Sequence, residues 1–247
     1  MKFRRSLFFA ISMIVISSCG SRLPDEYPMK KRFWDASDYK TAIRYIKYQL
    51  DDDEGYPRLS DPVTAPVFRK LVDKQNVAII LEDEQLGLTY RDDVGSDFFH
   101  ITQDLNKMYQ LIDIQDKFIY PEELVLVLDF ALYTQVLYLE VGNEEIIKDA
   151  IDPDDAATQR LISRNRQIIV DNYNNYLEIL AKEDAFNDKA RREYAEVIKT
   201  HLQTLLDMYP GSDYSKTKNT ANLILKKAST PEVRNATTIL IQKIESN

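Results

Sequence analysis

Apolar residues recur at spacings of three and four through most of this chain, the period of a helix that buries one face. A first helix is predicted from about Asp38 to Leu50, with Tyr39, Ala42, Ile43, Ile46 and Leu50 on one stripe. Gly55 and Pro57 stop it, and a shorter helix after Pro66 carries Val67, Phe68, Leu71 and Val72. From Thr89 the stripe resumes through Tyr90, Val94, Phe98, Ile101, Leu105, Met108 and Ile112, with Thr89 and Asp92 spaced as in a capping box. Pro121 opens the most apolar stretch, Leu124 to Leu139, broken only by Asp129, Thr134 and Gln135. Sixteen residues with an Asp inside fall short of the ~20 needed to span a membrane, so a central helix surrounded by its neighbours is expected.

Asp152-Pro153-Asp154-Asp155 reads as a cap, a proline at the first helical position and acids facing the positive end of the helix dipole. The helix it opens is predicted to reach about Lys182 through Ala157, Leu161, Ile168, Ile169, Tyr173, Tyr176 and Leu180. Another follows from about Asn187 to Tyr209, and two more begin after Ser212 and Thr230-Pro231. The one break in helical period is Val77 to Leu81, a β-branched run that predicts a short strand or hairpin near residues 77–90, with Leu86 to Tyr90 as partner. The fold class is all-α: a single domain of antiparallel packed helices over residues 37–247, large enough for its own core.

The first residues follow another pattern. Lys2, Arg4 and Arg5 precede about ten apolar residues from Leu7 to Ile16, too short for a comfortable membrane span but fitting a secretory signal over residues 1–18. At its end stands Ile16-Ser17-Ser18-Cys19-Gly20. This run resembles the lipobox of bacterial lipoproteins, over about twenty residues only. The resemblance implies that Cys19 becomes a lipidated N-terminus, and two or more acyl chains give stable anchoring. Cys19 is also the sole cysteine, with no partner for a disulfide. Gly20, where an Asp would favour retention in the inner membrane, implies the outer membrane, with the periplasmic face favoured over the cell surface. Residues 19–36, with Pro24, Pro28 and the cluster Lys30, Lys31 and Arg32, lack helical period and read as a lipidated N-terminus and flexible tether. The basic cluster reads as a solvated linker segment, with contact to anionic headgroups as the sharper alternative.

Removing the leader takes three of the 32 basic residues and none of the 40 acidic ones, which deepens the formal charge from −8 to −11. That sign argues against a nucleic-acid partner. Chemistry is sparse. His201 falls on the apolar stripe between Ile198 and Leu205 and reads as a core or boundary histidine; His100, beside Phe98 and Phe99, reads the same way. No Gly-rich phosphate loop, serine elbow or zinc-protease helix is found, so no catalytic, metal or cofactor residue is nominated. Asp51 to Glu54 offers oxygens for Ca²⁺ but misses the EF-hand spacing, because Leu50 falls at the first ligand position. Fifteen tyrosines read as boundary residues between helices, with a tyrosine-lined groove as the alternative. The turn Tyr209-Pro210-Gly211-Ser212-Asp213-Tyr214 looks like the helix connector of tetratricopeptide-type envelope lipoproteins, but it occurs once.

The expected function is a non-catalytic binding or assembly role in the cell envelope beside a membrane-protein or periplasmic partner. The alternatives are a small-molecule or glycan-binding lipoprotein and a carboxylate-dependent envelope hydrolase.

Overall fold

Pro121 at the first helical position and Glu122 and Glu123 in the first turn start a helix that the chain then holds for 29 residues, Pro121–Asp149. By length and composition it could cross a membrane. Its apolar residues point in all directions, however, and Leu124, Val125, Val127, Leu128, Phe130, Ala131 and Leu132 are all buried by neighbouring helices. A helix apolar all round is a core helix when others surround it.

The computed structural model describes residues 27–50 and 55–247. Over them the helices are α1 (Ala36–Leu50), α2 (Ala65–Leu71), α3 (Gln75–Leu81), α4 (Leu88–Tyr109), α5 (Pro121–Asp149), α6 (Ala156–Leu180), α7 (Asp188–Met208), α8 (Ser215–Lys227) and α9 (Pro231–Ser246). The all-α class is therefore observed, with no strand among the described residues and one isolated antiparallel bridge, Ile112 to Phe118. Helices α3, α4, α6 and α7 pack on α5, while α8 and α9 pair with each other and close over α6 and α7. One continuous core runs from Trp34 to Leu240. The turn after Tyr209 leads α8 mainly onto α6 and α9.

Four expectations are corrected. Val77 to Leu81 lies in α3, whose buried residues Asn76, Val77, Ala78 and Leu81 follow helical spacing. Packing on α4 and α5 overrides the strand propensity of a short β-branched run. The carboxylates of Asp73 and Asp83 accept from the backbones of Gln75 and Gln85, turning the chain at either end of α3. Leu86 to Tyr90 is no hairpin partner: α4 starts at Leu88 behind an extended Gly87, without a side-chain cap.

The start of α6 moves three residues along. Asp155 is the cap, accepting from the backbones of Ala157 and Thr158, while Asp152 accepts from Asp154 in the preceding turn. Of the predicted stripe, Ile169, Tyr173, Tyr176 and Leu180 are buried, whereas Leu161 and Ile168 are exposed and Thr158, Ile162 and Val170 are buried in their place.

Residues 27–36, expected as part of a flexible tether, pack on the helical domain. Trp34 is fully buried; its backbone donates to Asn76 Oδ1 at 2.8 Å and its indole to the Pro28 carbonyl at 3.0 Å. Asn76 Nδ2 in turn donates to the Tyr39 hydroxyl at 2.9 Å, and the Tyr27 ring meets Tyr45 edge-on at 4.6 Å. Within the basic cluster, Lys31 pairs with Asp38 at 2.7 Å and Arg32 lies over the Phe33 ring.

Candidate functional site

Cys19 and the acidic run 51–54 lie outside the described residues. Among the described residues no group of three potential metal ligands gathers. His100 is exposed, a correction to its reading as a core or boundary residue: it stands beside Lys40, whose ammonium is held between both oxygens of Asp97 at 2.9 Å.

His201 is buried as expected and has a partner 72 positions away in α5. Its Nε2 lies 2.8 Å from Asp129 Oδ1, which also accepts from Lys74 Nζ at 2.8 Å. Burial opposes ionisation of Asp129, but the hydrogen bonds from His201 and Lys74 outweigh it and hold the carboxyl below its ordinary value. Lys74 also lies over the Tyr133 ring, and the Tyr133 hydroxyl donates to Glu82. The His201 ring, the Asp129 carboxylate and the Lys74 ammonium form one hydrogen-bonded cluster. It ties α3, α5 and α7 together.

A concavity of about 430 Å³ at the start of α5 contains two carboxylates, Glu122 and Glu123. Both are engaged. Glu122 pairs with Lys189, and Glu123 accepts from the backbone of Leu59 at 2.5 Å.

The buried tyrosines act largely as ties. The hydroxyls of Tyr39, Tyr109, Tyr173, Tyr194 and Tyr214 donate to the backbone carbonyls of Leu71, Pro57, Ile198, Tyr176 and Leu205. Tyr176 differs: its hydroxyl accepts from Gln135 Nε2 at 2.6 Å, and no acceptor for its own proton is found among the described residues.

Tyr176 and Gln135 lie in a cleft of about 380 Å³ above α5, between α4 and α6. Both side chains are buried. Phe99, Gln103 and Asn106 line it from α4, Gln110 from the residue just past its end, and Asn172, Asn175 and Ile179 from α6. Among the described residues no charged side chain lines it, on a chain in which 29% of residues are charged. Spacings of three and four put Gln103, Asn106 and Gln110 on one face of their helix, yet Gln and Asn there read as solvated positions, and nothing in the pattern says that α6 faces them.

Directly after Gln110 the chain forms a turn that presents apolar side chains outward. Asp113 Oδ1 accepts from the backbones of Gln115 and Lys117, Asp116 takes a φ of 60°, and the Ile119 backbone donates to the Leu111 carbonyl. Phe118 anchors the turn, donating through its backbone to Ala185 and packing on Phe186 with ring centroids 4.7 Å apart. Ile114 at the tip is fully exposed, and Leu111, Ile112 and Ile119 are each two-fifths exposed or more. Ile112, expected on the stripe of α4, is one of them, because α4 ends at Tyr109.

No family model, curated protein or solved structure matches the chain.

Proposed function

We propose that this protein is a cell-envelope lipoprotein, held through Cys19 in the outer membrane with its helical domain on the periplasmic side, and that it binds a protein partner without catalysing a reaction. The observation that carries the partner reading is the turn after α4. Four aliphatic side chains, Leu111, Ile112, Ile114 and Ile119, stand out from a segment fixed by Asp113 and Phe118. A clustered apolar projection on an acidic domain costs solubility unless something covers it, and such patches mark interaction sites. Trp34, the one side chain best suited to stacking on a sugar, is fully buried, which weighs against the glycan alternative.

Two measurements test this. Labelled fatty acid should enter the wild type and not Cys19→Ala; equal labelling removes the anchor. A photoreactive residue at position 114 should give a discrete adduct in intact cells. Leu223, exposed on α8, is the control position. Equal crosslinking from both positions removes the assignment of the turn as the docking surface.

A further inference from the structure

We propose that the cleft between α4 and α6 binds an extended, uncharged peptide segment through its backbone amides. The proposal rests on the partner-binding reading and names the part of the partner that is held. The cleft exists because α4 and α6 both lean on α5 without a substantial interface with each other, so α5 forms the floor of a trough. Its volume, about 380 Å³, is at the small end of ligand clefts.

Six carboxamides line it: Gln103, Asn106, Gln110, Gln135, Asn172 and Asn175. Each offers a carbonyl acceptor and an N–H donor in one plane, the complement of the N–H and C=O that one residue of an extended chain turns to the same side. From Gln103 to Gln110 the α4 row rises about 10 Å at ~1.5 Å per residue. An extended chain covers that distance in about three residues.

Much of this hydrogen-bonding capacity is unused. Gln110, just past the end of α4, donates to Asn106 at 2.5 Å, whereas Gln103 and Asn175, exposed at the rim, and the half-buried Asn172 make no side-chain hydrogen bond within the protein among the described residues. On the floor, Gln135 spends its amide on Tyr176, leaving its carbonyl oxygen without a partner there, and Tyr176 has a proton without an acceptor. The floor therefore offers one acceptor and one donor side by side, as the N–H and C=O of one residue in an extended chain require.

The absence of charge selects a neutral ligand. A sugar would also be neutral, but sugars use open aromatic faces. The Phe99 ring is engaged by Tyr138 and His100, and Tyr176 is 7% exposed. A peptide leaving the cleft past Gln110 meets Leu111 and the aliphatic turn, where its side chains gain apolar contact.

The test pans the full-length chain, purified in detergent, against phage-displayed random heptapeptides and then measures binding of capped synthetic copies by fluorescence anisotropy. Saturable binding is expected. Asn172→Ala with Gln103→Ala, both at or near the rim, should weaken it about tenfold, equivalent to about 1.4 kcal/mol. N-methylation of one central peptide amide should do the same, which a site reading side chains alone would not show. No enriched peptide, binding indifferent to these changes, or saturable binding of chitotriose in place of peptides overturns the proposal. Peptide failure alongside a discrete crosslink from position 114 removes the cleft and leaves the partner reading standing.

Discussion

Glu183 holds the start of α9 at Thr230, 47 positions further along the chain. Its Oε1 accepts from the Ser229 backbone at 2.5 Å and hydroxyl at 2.8 Å, while Oε2 accepts from the Thr230 backbone at 3.1 Å and from its hydroxyl. Thr230 makes no side-chain cap of its own; the carboxylate instead holds the backbone and hydroxyls of Ser229 and Thr230 that lead into the helix, near the positive end of its dipole. Because Glu183 is buried and accepts four bonds, Glu183→Ala should cost about 1.5–3 kcal/mol, the range for hydrogen bonds to a charged group. Urea unfolding measures it; a loss below ~0.5 kcal/mol would mean these bonds are idle.

Acid should weaken the fold through this same group. Burial opposes ionisation of Glu183, yet the hydrogen bonds from Ser229 and Thr230 prevail and lower its pKa; Asp129 is lowered likewise by His201 and Lys74. For both, the folded value lies below the unfolded one. Their stabilisation is therefore present above the ordinary carboxylate range and is lost as pH falls through the folded values. The melting temperature should drop on acidification below about pH 4.5, the region where an unfolded Glu titrates. Glu183→Gln should flatten that drop, and an unchanged pH profile in this variant would contradict the assignment.

Local signals in the chain account for the helices whose ends carry their own chemistry. Asn187 caps α7, Pro121 and Pro231 sit at the starts of α5 and α9, and each lies where the sequence puts it. Features made by contact between distant segments were not legible. Val77 to Leu81 has strand propensity and becomes helical only because α4 and α5 surround it. His201 gives no hint of Asp129, and the carboxamide cleft is assembled from three helices whose Gln and Asn residues each look solvated alone. Trp34 follows a stretch without period, and its burial depends on Asn76 and Tyr39.

Trp34 is the only tryptophan, so its fluorescence reports on the segment expected to be a tether. Full burial predicts emission blue-shifted from that of free tryptophan and little quenching by acrylamide. Trp34→Ala should destabilise the domain by about 3–5 kcal/mol. Emission like that of an exposed indole would return residues 27–36 to the tether.

In α5, Leu128 is fully buried and Leu132 nearly so. Truncation of either to Ala should cost about 2–5 kcal/mol, depending on how far the cavity collapses. Losses under ~0.5 kcal/mol in chemical denaturation would mean that this face is not packed inside the protein, and the membrane-spanning reading of α5 would gain.

Gly95 is where α4 approaches α5 most demandingly. A Cβ there would lie 2.5 Å from Tyr138 Cδ2, well inside contact distance, and the Tyr138 ring is itself backed by Phe99. Two effects oppose each other in Gly95→Ala. Alanine favours the helix by about 1 kcal/mol, whereas overpacking costs about 1–3 kcal/mol. With the ring in place the clash should win, and Gly95→Ala should be destabilising. In a Tyr138→Ala background the ring is gone, the propensity term stands alone, and the same substitution should stabilise by about 0.5–1 kcal/mol. A double-mutant cycle in urea reads this change of sign directly. Equal effects in both backgrounds would show that the ring moves aside at no cost and that Gly95 is not required for the approach of the two helices.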